Sequence, residues 1–112
     1  MLFGLIRTTA EIKAQGAKRS SRWPAVRNAW IKDHPTCACC GGTDSLEVHH
    51  KIPFHVAPML ELDGLNLITL CESKRQCHLR VGHYFNWKLH NPDVERMAAE
   101  FLNGIAKAKG AN

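Results

Sequence analysis

The sequence predicts a small α+β domain stapled by metal, with two short strands and helices on either side. Three observations carry this expectation. Five cysteines crowd a chain of 112 residues, with Cys37, Cys39 and Cys40 in one cluster and Cys71 and Cys77 further on. Two segments, Leu46–His50 and Asn66–Leu70, are patterned as strands. Helical spacing of apolar residues precedes the first cysteines and returns near the C-terminal end.

A chain this long has room for one domain and one modest core. It buries a limited share of its surface, so an added staple helps it. The apolar run Met1–Ile6 is too short for the central region of a secretion signal, and Arg7 follows it rather than leading. No stretch approaches the roughly 20 apolar residues of a membrane span. The expectation is a soluble cytoplasmic protein without a membrane partner, whose reduced, clustered thiols bind metal rather than form disulfides. The net charge of +5 favours a polyanionic partner.

Taken in order, residues 1–22 form a basic arm carrying Lys13, Lys18, Arg19 and Arg22. Such an arm is either solvated or in contact with nucleic-acid phosphates. Residues 23–90 form the core. There Pro24 suits a first helical position, Val26, Ala29 and Trp30 share a face, and Pro35 stops the helix after about Asp33. Trp23 and Trp30 read as cover for the core. Gly41 and Gly42 give the cysteine loop the positive φ it needs. Leu46–His50 alternates as a strand ended by Pro53, and residues 54–65 form a loop anchored by Phe54, Val56, Leu60 and Leu62. After the second strand a helix is expected from Cys71 through His78 towards Trp87, weakened at Gly82. Residues 91–112 form a packing helix capped by Asn91-Pro92-Asp93, with Val94, Met97, Phe101 and Ile105 on one face.

Cys37 and Cys40 form a C-x2-C pair that one loop can direct at one tetrahedral ion, and Cys71 and Cys77 complete four thiolates around a structural Zn2+. The second spacing, C-x5-C, exceeds the usual two to four, so that side of the knuckle carries a bulge. Cys39 could replace Cys37 or Cys40, but C-x2-C fits better than adjacent cysteines. The zinc supplies the staple, because metal-binding free energy becomes folding free energy.

The adjacent pair His49-His50 is the most informative feature. Neighbouring side chains on a strand point to opposite faces. One imidazole can therefore bind a metal while the other reaches a water, if the strand twists or ends there. Phosphodiester hydrolysis needs both: a metal that neutralises charge and a base with a pKa near neutrality.

The whole pattern resembles the HNH family of endonucleases. The resemblance rests on Glu47-Val48-His49-His50-Lys51-Ile52-Pro53, on Asn66-Leu67-Ile68-Thr69-Leu70-Cys71 and on Cys77-His78, and it spans roughly Cys37 to His83. It implies a compact ββα-metal core of the four-cysteine zinc subset, of the kind found in phages and bacteria. Carried over by position, His49 and His78 would ligate a catalytic divalent ion and His50 would be the general base. Asn66 would hold the loop that keeps His50 oriented. His83 comes five residues after His78, about 140° round an ideal helix. It would join as a third ligand only if the helix deforms near Gly82; otherwise it faces DNA or solvent. Mg2+, Mn2+, Ni2+ or Zn2+ could serve, since a histidine site does not select sharply among them.

The resemblance further implies cleavage of double-stranded DNA in the cytoplasm of a bacterial or phage-infected cell, by a chain acting alone or recruited by a larger phage or bacterial machine. Arg80, on the expected helix near His78, and Lys51 are the expected phosphate contacts. His34, His55 and His90 read as ordinary surface or core histidines, with His55 near enough in sequence to touch substrate. The rival is a zinc-stabilised module that binds nucleic acid without cutting it, which would leave His49, His50 and His78 idle. Nothing in the sequence specifies the oligomeric state.

Overall fold

The computed structural model describes residues 18–110. Most of the expected basic arm, Lys13 included, lies outside them. The elements run α1 (Trp23–Asp33), β1 (Leu46–His50), 3-10 turns at Pro58–Leu60 and Gly64–Asn66, β2 (Leu67–Cys71), a π turn (His78–Gly82) and α2 (Val94–Gly110). Among the described residues no helix is long and apolar enough to cross a membrane.

β1 and β2 pair antiparallel, from Leu46 opposite Cys71 to His50 opposite Leu67. Every residue of β2 is buried, so its apolar side chains and Cys71 meet cover on both faces. β2 begins one residue later than the sequence pattern suggested. Asn66 ends a 3-10 turn instead, while its carbonyl accepts the Lys51 N–H at 2.8 Å and so extends the ladder.

Pro24 opens α1 without sacrificing a hydrogen bond, and the His34 N–H closes the helix on the Trp30 carbonyl. Val26 and Trp30 are half-buried, but Ala29 is exposed. Trp30 Nε1 donates to the Thr69 hydroxyl at 3.1 Å, and that hydroxyl donates to the His34 carbonyl at 3.0 Å. These two bonds pin α1 to the middle of β2.

The helix expected from Cys71 to Trp87 does not form; only the π turn at His78–Gly82 does. Cys71 and Cys77 must converge, so the chain between them turns back, with Gln76 at φ 48° and its N–H on the Ser73 carbonyl. Beyond Gly82, Tyr84 and Phe85 adopt left-handed φ values of 50° and 65°, which ends any helix.

Asn91 caps α2, which starts at Val94 directly after Asn91-Pro92-Asp93. The Asn91 side chain accepts from the Asp93 N–H at 2.8 Å, and the Val94 N–H reaches the Asn91 carbonyl. Val94 and Ala98 are buried and Met97 is half-buried, but Phe101 is 52% exposed. The expected apolar face therefore meets the core only in its first turns.

Candidate active site

Two groups of side chains converge at spacings that could hold a metal ion. Single ligand atoms of Cys37, Cys40, Cys71 and Cys77 all lie within 4.8 Å of one another, and so do those of His49, His78 and His83.

The cysteine cluster is built by the two turns that the spacing demanded. Cys37 N–H bonds the Gly42 carbonyl and Gly41 N–H bonds the Cys37 carbonyl, each at 2.8 Å, with Gly41 at φ 75°. Cys71 ends β2, and the Ser73–Gln76 turn returns the chain to Cys77. Cys40 and Cys71 Sγ lie 3.7 Å apart; a tetrahedral ion with thiolate bonds of about 2.3 Å sets its sulfurs about 3.8 Å apart. Burial pushes the Cys77 thiol far up, and repulsion from Cys37 and Cys39 adds to it. Burial also opposes ionisation of Cys71, but hydrogen bonds from Cys77 and the neighbouring thiols outweigh it and hold that group down. One thiolate can thus be shared within the cluster, whereas four would need a cation among them. Cys39 is buried beside the quartet but is not one of its four members.

The histidine cluster joins β1 to the π turn. Here the deformation near Gly82 is what brings His83 into reach. An α-helix would turn residue 83 away from residue 78, but a π turn closes from i to i+5 and returns it to the same side. His83 Nε2 lies 3.2 Å from His78 Nε2, which in turn lies 3.0 Å from His49 Nδ1. Nitrogens around a tetrahedral ion would be about 3.3 Å apart.

The far side of each ring bears on which nitrogen is free. His78 Nδ1–H donates to the Glu72 carboxylate at 2.8 Å, and His83 Nδ1–H donates to the Leu89 carbonyl at 2.6 Å. In the neutral rings both Nε2 atoms then present lone pairs to each other, an arrangement that a cation between them stabilises. His49 is 3% exposed and its pKa is pushed down to about 3, first by burial and then by His78 and His83. It is therefore neutral near pH 7 and offers a lone pair. Its Nε2 is buried without a partner, at a cost of about 1–3 kcal/mol that a bond from Nδ1 to a metal would offset. The donor set and its spacing fit a divalent ion.

His50, on the opposite face of β1, keeps apart from these ligands. Its Nε2–H donates to the Glu61 carbonyl at 2.9 Å, and its ring packs on Trp23 with centroids 4.5 Å apart. That leaves Nδ1 as the acceptor. Burial lowers the His50 pKa and Arg19 lowers it further, while Glu61 acts against them.

Asn66 holds the loop that carries Glu61. Its Oδ1 accepts the Ile52 N–H at 2.8 Å, and its Nδ2 donates to the carbonyls of Ile52 at 3.1 Å and Leu60 at 3.3 Å. One buried amide thus crosslinks both ends of the 52–60 segment.

His49, His50, His78 and His83 open into one cleft of about 350 Å3, together with His55 and His90. Six of the seven histidines therefore share a surface; of the two that are not converging ligands or His50, His55 was expected only to reach substrate and His90 was read as an ordinary histidine. Arg80 and Lys51 do not line this cleft. The π turn aims Arg80 to its other side, over the Phe85 ring at 5.5 Å, and Lys51 is paired with Glu95 at 2.6 Å. The cations that do line it are Arg19 and Lys88. Arg19 lies over the Phe54 ring at 4.4 Å and 3.3 Å from the buried Glu61 carboxylate, which also accepts the Ser20 N–H.

Sequence reasoning missed Glu72, Glu61, Leu89 and Trp87, whose ring packs 5.0 Å from His78 and 4.9 Å from His83. Leu89 acts through its backbone and leaves no residue-type signal. The two glutamates are separated from their partners by loops whose paths no short motif specifies.

Comparison with protein-family models matches residues 37–83, somewhat less than half the chain, to the HNH endonuclease family. No curated protein and no solved structure matches the chain.

Proposed function

From the match of residues 37–83 to the HNH endonuclease family, we propose that the protein is a metal-dependent DNA endonuclease. The observation that carries this reading is the convergence of His49, His78 and His83 within 4.8 Å, in the cleft that also holds His50. A divalent ion bound there would supply Lewis-acid neutralisation of the scissile phosphate and the leaving oxygen. The cysteine quartet would hold a structural zinc.

His50 is the general base. With Nε2–H tied to the Glu61 carbonyl, its Nδ1 lone pair accepts a proton from the attacking water. Asn66 keeps that carbonyl in place by bonding Leu60 and Ile52 on the same loop. Arg19 and Lys88 contact the phosphates that flank the scissile bond. By the family resemblance the products carry 5′-phosphate ends, and a duplex processed for a phage or its bacterial host is the natural substrate.

The test is plasmid cleavage by protein stripped and reloaded with single divalent ions, comparing wild type with His50→Ala. Metal-dependent nicking that His50→Ala abolishes, with zinc retained, is the expected result. Failure of the wild type to cut with any ion, alongside DNA binding and retained zinc, would replace this reading with a non-catalytic binding module.

A further inference from the structure

We propose that Asn91, acting with the Tyr84 hydroxyl, is a positioning residue that makes His83 the third ligand of the histidine metal site. The inference rests on the reading that His49, His78 and His83 hold an ion, and it concerns what gives the site its third nitrogen.

His83 reaches the site only because the chain makes a π turn. Such turns are rare and need outside support, because the backbone groups they release must find other partners. Asn91 provides them. Its Nδ2 donates to the Val81 carbonyl at 2.9 Å, and its backbone N–H donates to the Gly82 carbonyl at 3.0 Å. In a continuing helix those two carbonyls would be taken by residues further along the same helix.

The same side chain closes the segment from His83 to Asn91 into a loop. Its Oδ1 accepts the Tyr84 hydroxyl at 2.6 Å and the Asp93 N–H at 2.8 Å. Tyr84 and Phe85 lie at left-handed φ in this loop, a conformation that non-glycine residues keep only where their surroundings impose it. Inside the loop, the Leu89 carbonyl accepts from His83 Nδ1 at 2.6 Å, which directs the Nε2 lone pair towards His78. Asn91 thus governs both the backbone that carries His83 and the carbonyl that fixes its tautomer. It is 0% exposed and lies eight residues beyond the ligand it serves.

The experiment titrates cobalt(II) into the zinc-loaded full-length chain and reads affinity and the visible absorption of the bound ion. Wild type, Tyr84→Phe, Asn91→Asp and His83→Ala are compared, with cysteine-bound zinc and thermal midpoint measured in parallel. Tyr84→Phe removes one hydroxyl and leaves the fold intact; Asn91→Asp keeps the acceptor and loses the donor to Val81. Both are expected to weaken cobalt about 10- to 100-fold, to shift its absorption towards that of His83→Ala, and to leave the zinc in place. A purely structural role would lower the thermal midpoint while leaving cobalt affinity and absorption at wild-type values, and that result overturns the proposal. If wild type and His83→Ala bind cobalt equally poorly, the histidine site itself is refuted and this inference falls with it. A difference between those two that neither Tyr84→Phe nor Asn91→Asp reproduces refutes the positioning role alone.

Discussion

His50 lines the cleft and has one ring nitrogen committed to the Glu61 carbonyl. The groups that face it are the Trp23 ring, Arg19 and Glu61. Burial and Arg19 lower its pKa below 6.5, the Glu61 carbonyl and carboxylate oppose this, and the net shift is downward. If His50 is the proposed base it must be neutral to act, so activity should be full near pH 7 and decline only as pH falls through a midpoint below 6.5. A bound cation nearby would push in the same direction as Arg19. A kcat profile at saturating metal checks this, and an acid limb centred above 6.5 would refute it. His50→Ala should lower kcat about 100- to 10,000-fold without weakening metal binding, because His50 is not one of the converging ligands. Asn66→Asp replaces the donor to the Leu60 and Ile52 carbonyls with an acceptor. It should reduce kcat more than metal affinity, which separate cleavage and metal titrations would distinguish.

At the scale of elements, β1 was legible in the sequence residue for residue because alternation and Pro53 define it locally. The cysteine quartet was legible for a related reason, since ligand chemistry restricts its spacing. The segment from Cys71 to Trp87 was not. Its residues suit a helix, but convergence of Cys71 with Cys77 and the hydrogen bonds of Asn91 override local preference. Arg80 consequently left the side of the histidines. His83 was readable only as a conditional ligand, because the condition depends on a residue beyond the segment. Gly82 gives this element its second test. A Cβ there would lie 3.2 Å from Leu70 Cδ1 and 3.3 Å from both His49 Cε1 and His78 Cδ2. Leu70 is 0% exposed and His49 3%, so neither has space to withdraw. Gly82→Ala should therefore destabilise the chain by about 1–3 kcal/mol and weaken the ion on the histidines. Denaturant melts and a metal titration would measure the two effects; unchanged values in both would show that the ligands are not closely packed on the turn.

At the scale of the whole molecule, the two ligand clusters would bear on stability unequally. Four of the nine residues in the buried core cluster are cysteines, and three of those belong to the quartet. Among the described residues its other members are Ile68, Leu70, Val81, Val94 and Ala98, a small apolar core of the kind that an added staple helps. Zinc on four thiolates contributes about 10–16 kcal/mol in small peptides, comparable to the entire stability of about 5–15 kcal/mol expected of a folded domain. The histidine site is different, because its ligands are held by Glu72, Leu89 and Asn91 whether or not an ion binds. Chelation should accordingly proceed in two stages. A mild chelator should abolish cleavage while the circular dichroism spectrum and the zinc content stay unchanged. A stronger one should remove the zinc and unfold the chain cooperatively. Cys40→Ala should mimic the second stage, whereas Cys39→Ala, outside the quartet, should retain its zinc. Metal analysis alongside the spectrum at each chelator concentration separates the stages. If activity, zinc and structure disappeared together at a single concentration, the two sites would have to be one folding unit, and the division between a structural and a catalytic metal would be wrong.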